Sequence, residues 1–134
     1  MSLVLQAVDV RGPTRWWWLL TDEATGNLLA DQQVALDPDA PEVRGFGDVY
    51  RYVRSYAAPD RRAEDEARLV AELGVWAGRV LLGPAIGEAI AAAAPVTVRV
   101  SVPASLRHVL GWPLELAHVA GAPLAALGDR KSVV

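Results

Sequence analysis

The sequence contains no cysteine, only two histidines and a small excess of acidic charge. Without cysteine the chain has no disulfide framework, no thiolate zinc site and no cysteine nucleophile. The formal net charge of -3 gives no electrostatic reason to bind nucleic acid or an anionic membrane. The N-terminus lacks the pattern of a signal peptide, and Arg, Glu or Pro interrupts every apolar run before it reaches membrane-spanning length. We therefore expect a cytoplasmic protein that binds neither nucleic acid nor a membrane.

The length and the apolar content predict one globular domain over residues 1–134. A chain of 134 residues with a hydrophobic share of 52% is long enough to bury a core, but is short for an enzyme with a separate substrate domain. No internal repeat divides it. Three parts follow one another: residues 3–36, 42–94 and 96–134.

Residues 3–36 are typical of an antiparallel β-meander. Two turn signals, residues 11–14 and 22–27, separate three apolar segments. The middle segment contains three consecutive tryptophans, and successive side chains of a strand point to opposite faces. Trp16 and Trp18 therefore share one face with Leu20, while Trp17 shares the other with Leu19 and Thr21.

A central strand that is apolar on both faces needs cover on both sides. We expect helices on one face, and either more protein or a second subunit on the other. Trp16, Trp17 and Trp18 are accordingly the candidate interaction residues. The alternative is that one tryptophan merely covers the rim of the core, as single exposed aromatic side chains commonly do.

Residues 42–94 are predicted to form three helices. The first carries apolar residues at helical spacing: Phe46, Val49, Tyr50, Val53 and Tyr56. The second begins near Asp60, ends at Gly83–Pro84 and presents one apolar stripe: Leu69, Val70, Leu73, Trp76, Ala77, Val80 and Leu81. Gly74 and Gly78 interrupt this helix, which indicates that another segment packs close to its backbone. The third has Ile86, Ala89, Ile90 and Ala93 on its inner side.

Residues 96–134 return to strand. Valine alternates with polar residues over 96–102, which is the pattern of a strand buried on one face. Short helical or irregular turns are expected around Gly111–Pro113, and a last strand begins near Ser132. The whole pattern predicts an α/β or α+β fold with an N-terminal meander, central helices and further strands, whose order the sequence does not give.

Few residues of the sequence are candidates for catalysis or for binding a metal or a cofactor. Glu115 and His118 have the Glu-x-x-His spacing of helical metal ligands, but there is one copy and no further ligand set. His108, the other histidine, has no Ser or Asp in a triad arrangement. No phosphate-binding glycine motif is present. We therefore expect no catalytic residue, no metal and no cofactor, the alternative being an enzyme that uses Glu115 and His118 through an unrecognised site.

The run from Pro95 to Ala125 resembles the front half of the CHAT domain, the caspase-like peptidase domain of bacterial proteins that is often fused to tetratricopeptide repeats. That family has a hydrophobic strand, a short loop, a Leu-Pro-Trp-Glu-Leu type element and a small-residue turn. Trp112, Pro113, Leu114, Glu115 and Leu116 stand at this element, with the order of Trp and Pro changed. The upstream helix is also similar, so the resemblance covers roughly residues 64–134.

The resemblance implies part of a caspase-like sheet without its catalytic residues. In the family, the catalytic histidine and cysteine lie on later strands than the region that matches this chain. Neither His108 nor His118 stands at the position of that histidine, and the cysteine is absent. The resemblance therefore implies a structural or regulatory segment that acts through protein contacts, with either a second copy or the remainder of a longer polypeptide. The chain is then a fragment of a longer polypeptide, a processed piece or a free-standing module, and the resemblance does not choose among these three.

Overall fold

The N-terminal meander forms one side of a mixed five-stranded sheet, with its third strand at the edge. The computed structural model describes residues 2–48, 51, 60, 62–119, 122–123 and 130–133. The five strands are β1 Ser2–Val8, β2 Arg15–Asp22, β3 Leu28–Ala35, β4 Thr97–Ser101 and, last along the chain, β7 Arg130–Val133. Their order in the sheet is β3-β2-β1-β4-β7. Because β4 is parallel to both β1 and β7, β2 runs against the other four strands of this sheet.

Two very short strands, β5 His118–Val119 and β6 Ala122–Pro123, form a separate antiparallel pair. The helices are α1 Pro41–Gly47, α2 Arg62–Trp76 and α3 Pro84–Ala93, and α2 continues as a π-helical turn over Ala77–Leu82. Two 3-10 segments follow β4, at Ala104–Gly111 and Leu114–Leu116. A sheet combined with these helices confirms the predicted mixed α and β fold class.

Helix α1 covers the start of the first predicted helix, and Arg51 further along is also helical. It starts at Pro41, where proline suits the first helical turn, and ends at Gly47 because Asp48 leaves the helical region with φ -147°. Phe46 is fully buried, as its place in the apolar pattern predicted. Val49, Tyr50, Val53 and Tyr56 lie outside the described residues.

The hydrophobic core lies between the helices and one face of the sheet, here called the inner face. The alternation predicted for β2 is confirmed, because Trp16, Trp18 and Leu20 are buried on the inner face. Val98 and Val100 of β4 point to the same side. The helices contribute most of their predicted stripes, with these residues fully or almost fully buried: Leu69, Leu73, Trp76, Ala77, Leu81, Ile86 and Ile90. The other predicted inward residues are half-buried: Val70, Val80, Ala89 and Ala93.

The end of α2 is held to β2 by a hydrogen bond across the core. Trp18 Nε1 donates to the carbonyl oxygen of Leu81 at 2.8 Å, and both residues are buried. The last carbonyl groups of a helix have no partner within the helix, so a buried one needs a donor from elsewhere. The Trp18 indole provides this donor and also contacts Trp16 edge to face, with ring centroids 5.6 Å apart.

Gly74 and Gly78 allow a close approach, as the sequence predicted. A Cβ atom at Gly74 would lie 2.5 Å from the Leu116 carbonyl oxygen, and one at Gly78 would overlap the backbone carbonyl of His118. The segment Leu116–His118 therefore rests directly on the helix backbone. These two glycines fix where the segment after the second 3-10 turn crosses α2.

No single helix in the described ranges is both long enough and apolar enough to cross a membrane.

Candidate interaction surface

The face of the sheet opposite the core, here called the outer face, carries apolar residues that no described element buries completely. It is formed by the alternate residues of four strands: Val4, Gln6, Val8, Arg15, Trp17, Leu19, Thr21, Asp31, Gln33, Thr97, Arg99 and Ser101. Each of these is half-buried or exposed. The helices with described contacts pack on the inner face, so β2 is apolar on a side that they leave uncovered.

Trp17 lies at the centre of the apolar part of the outer face. Its cross-strand partners are Val8 on β1 and Gln33 on β3, and Leu19 follows it on the same strand face. Beside the indole is a groove of about 340 Å³ lined by Asp9, Arg11, Arg15, Trp16, Trp17 and Gln33. The groove thus combines an aromatic wall with two guanidinium groups.

Two ion pairs neutralise most of the charge around the outer face. Asp9, which has a φ of 49° just after β1, accepts a hydrogen bond from Arg11 Nε at 3.0 Å. At the other end Arg99 pairs with Glu23 at 3.0 Å, and both side chains are about two-fifths exposed. Pairs so exposed contribute little to stability. Each pair does bring opposite charges together, so these four groups have little net charge.

Arg15 and Asp31 are the charged residues of the outer face that belong to neither of these ion pairs. Neither forms an ion pair or a side-chain hydrogen bond with another described residue. Both are exposed. Asp31 lies opposite Leu19 in the β2–β3 register, so Arg15 and Asp31 are on either side of Trp17 along the strand direction. Among the described residues, the face therefore has an uncompensated positive charge on one side of Trp17 and an uncompensated negative charge on the other.

Of the three candidate tryptophans, only Trp17 can contact a partner. Trp16 and Trp18 are 1% and 0% exposed and belong to the core. The alternation of the sequence placed Trp17 correctly on the face opposite these two, but Arg15, Asp31 and Gln33 were not among the predicted residues. The signal for Arg15 was available, because it precedes Trp17 by two residues on the same strand and must share its face.

The segment Trp112–Leu116 has a packing role. The Trp112 ring packs edge to face against the rings of Phe46 and His108, with ring centroids 6.3 and 5.5 Å apart. Leu114 is buried. His108 Nε2 in turn donates to the carbonyl oxygen of Pro13 at 3.0 Å, which ties this region to the β1–β2 turn. These contacts link the segment to α1 and to the meander.

Glu115 and His118 do not share a helix. The 3-10 turn ends at Leu116 and His118 begins β5, so the Glu-x-x-His spacing does not place the two side chains on one helical face. The His118 ring instead packs beside Gly74. Within the described ranges no group of three or more His, Asp or Glu side chains lies close enough to hold a metal ion.

We expect added Zn²⁺ or Fe²⁺ to leave the melting temperature unchanged. A metal that binds only the folded state would raise it in proportion to its affinity. The measurement is a thermal melt of the chelator-treated protein with each metal, and of the Glu115→Gln variant as the matched control. A rise in melting temperature that is lost in Glu115→Gln would contradict this expectation.

A second groove, of about 390 Å³, lies along α2 and is lined by Glu42, Arg68, Ala71, Glu72, Leu73, Val75, Trp76 and Arg79. Its charges are mixed, and Arg68 is already paired with Glu72 at 3.1 Å and with Asp65 at 3.7 Å. Val75 in this groove is 49% exposed. Val75 is thus an exposed apolar residue on the helical side of the molecule, away from the outer face.

Comparison with known proteins adds no relative: no protein-family model, no curated protein and no solved structure matches the chain.

Proposed function

We propose that this chain is a cytoplasmic, non-catalytic structural or regulatory portion of a bacterial caspase-like protein of the CHAT type, and that it acts through protein contacts. The observation that carries the contact function is the outer face, where Trp17 and Leu19 stay half-buried while the helices cover the opposite face. Aromatic side chains are enriched at such contacts because they bury a large area for little loss of side-chain entropy.

The caspase-like part of the proposal has its support in the Trp112–Leu116 segment and in the strand and helix before it. Parallel strands β1, β4 and β7 form a sheet that a longer caspase-like sheet could extend at β7. Since an edge strand presents unpaired backbone groups, it can also pair with another chain. A partner is therefore proposed to be a protein, either a second copy or the remainder of a longer polypeptide.

The contact function predicts that Trp17→Ala keeps the fold. We expect an unchanged far-ultraviolet circular dichroism spectrum and a loss of less than about 2 kcal/mol in the free energy of unfolding, because a half-buried side chain loses only part of its burial. The measurement is urea denaturation at low protein concentration, with Val75→Ala as a control at an exposed apolar site on α2. Unfolding of Trp17→Ala would make Trp17 a core residue and would contradict the proposal.

A peptidase assay separates this proposal from an enzyme that uses Glu115 and His118. The chain alone is expected to leave a mixed peptide library uncleaved. Hydrolysis that disappears in Glu115→Gln and in His118→Ala would favour the enzyme instead.

A further inference from the structure

We infer that the partner of the outer face is a second copy of this chain, docked face to face about a twofold axis at the level of Trp17. The inference rests on the proposed contact function and adds the identity and the register of the partner. It depends on the positions of Arg15, Asp31 and Trp17, which the hairpin β2–β3 fixes.

The charges of the outer face are complementary to themselves. Arg15 and Asp31 are exposed and have no ion-pair partner within the described part of the chain. Asp31 is opposite Leu19, and Trp17 lies midway between Arg15 and Leu19 on β2. Arg15 and the level of Asp31 are therefore separated by four residues along the strand, about 13 Å.

Consider a twofold axis that lies between two stacked sheets, parallel to them and perpendicular to their strands. Rotation about this axis reverses the strand direction, so the strands of the second copy run opposite to those of the first. With the axis at Trp17, Arg15 of each copy lies above the level of Asp31 of the other, displaced sideways by one strand spacing of about 4.8 Å. Stacked sheets are about 10 Å apart, a gap that an arginine and an aspartate side chain can bridge between them. The same axis brings the two Trp17 side chains together.

This arrangement pairs both uncompensated charges and buries the apolar centre of the outer face. A twofold contact uses the same patch on both subunits, so the patch must be complementary to itself. The apolar centre at Trp17, Leu19 and Val8 is buried against its own copy, and two Arg15–Asp31 pairs form at its rim. Each Asp31 also approaches the groove of the other copy, where Arg11 is already paired with Asp9.

Charge reversal tests the register. Arg15→Glu and Asp31→Arg should each raise the dimer dissociation constant at least about tenfold, because both pairs then become like-charged. The double variant Arg15→Glu/Asp31→Arg should restore most of the affinity, since it exchanges the two signs and keeps complementarity. Added salt should weaken the wild-type dimer and relieve the repulsion in the single variants. The measurement is sedimentation velocity at low and high salt.

One control variant and one further test variant complete the design. Val75→Arg places a charge on the exposed part of α2 and should leave the dissociation constant unchanged. Trp17→Ala should raise the constant without altering the spectrum of the folded chain.

The outcomes separate the inference from the proposed function. A wild type that stays monomeric at every concentration, or a dimer that neither single charge reversal weakens, overturns the second-copy register. In either case the proposed contact function is retained if Trp17→Ala is folded. It is contradicted only if that variant unfolds. A double variant that is as weak as the single variants also overturns the inference, since the charges then do not face each other.

Discussion

Replacing Gly78 by alanine should lower the free energy of unfolding by about 1–3 kcal/mol, as expected for overpacking. Alanine by itself would stabilise a helix by about 1 kcal/mol relative to glycine, so a loss means that the new methyl group meets an obstacle. The obstacle is the backbone carbonyl of His118, which cannot rotate away as a flexible side chain would. The segment Leu116–His118 would have to lift from α2.

The measurement for Gly78→Ala is urea denaturation followed by circular dichroism. Gly111→Ala is the matched control, because Gly111 is exposed, does not have a positive φ and has no atom within 4 Å of the position that the new methyl group would take. We expect this control to equal or slightly exceed the wild type. A Gly78→Ala variant more stable than the wild type would show that β5 does not rest on the helix.

Replacing Trp18 by alanine should have the largest effect of all, a loss of about 3–5 kcal/mol in the free energy of unfolding from lost burial and the resulting cavity together. The variant also removes the donor to the Leu81 carbonyl and the edge contact with Trp16. Because small domains are stable by only about 5–15 kcal/mol, such a loss removes a large share of the stability and lowers the melting temperature. Thermal melting measures it directly.

Trp18→Phe removes the hydrogen bond together with only part of the side-chain volume. It keeps an aromatic ring but leaves the buried Leu81 carbonyl without its donor, which costs about 1–3 kcal/mol. The neighbouring Trp17→Ala is the matched control on the outer face, and its loss should be less than half that of Trp18→Ala. Equal losses at positions 17 and 18 would mean that both faces of β2 belong to the core.

The local elements could be predicted from the sequence because their signals are local. Alternation on β2 separated Trp17 from its two neighbours, and the helical stripe around Leu73 and Leu81 identified the buried side of α2. The pair Gly74 and Gly78 predicted a close approach to the helix. The identity of the approaching segment could not be predicted, because it comes from residues about forty positions later.

The sheet order and the outer face required the structure. Parallel pairing of β1 with β4 joins residues separated by about ninety positions, and no local pattern encodes it. Alternation places Trp17 opposite Trp18, but the position of the helices decides which face is buried. The relation of Arg15 to Asp31 depends on the β2–β3 register, in which Asp31 is opposite Leu19.

Light scattering over a tenfold range of protein concentration, with the wild type and Trp17→Ala measured side by side, shows whether the outer face joins two copies. If it does, the wild-type mass rises toward twice that of the 14.3 kDa chain, while Trp17→Ala stays near the monomer mass at the same concentrations. Equal masses for the two proteins over the whole range would mean that Trp17 and the outer face do not form a contact between copies.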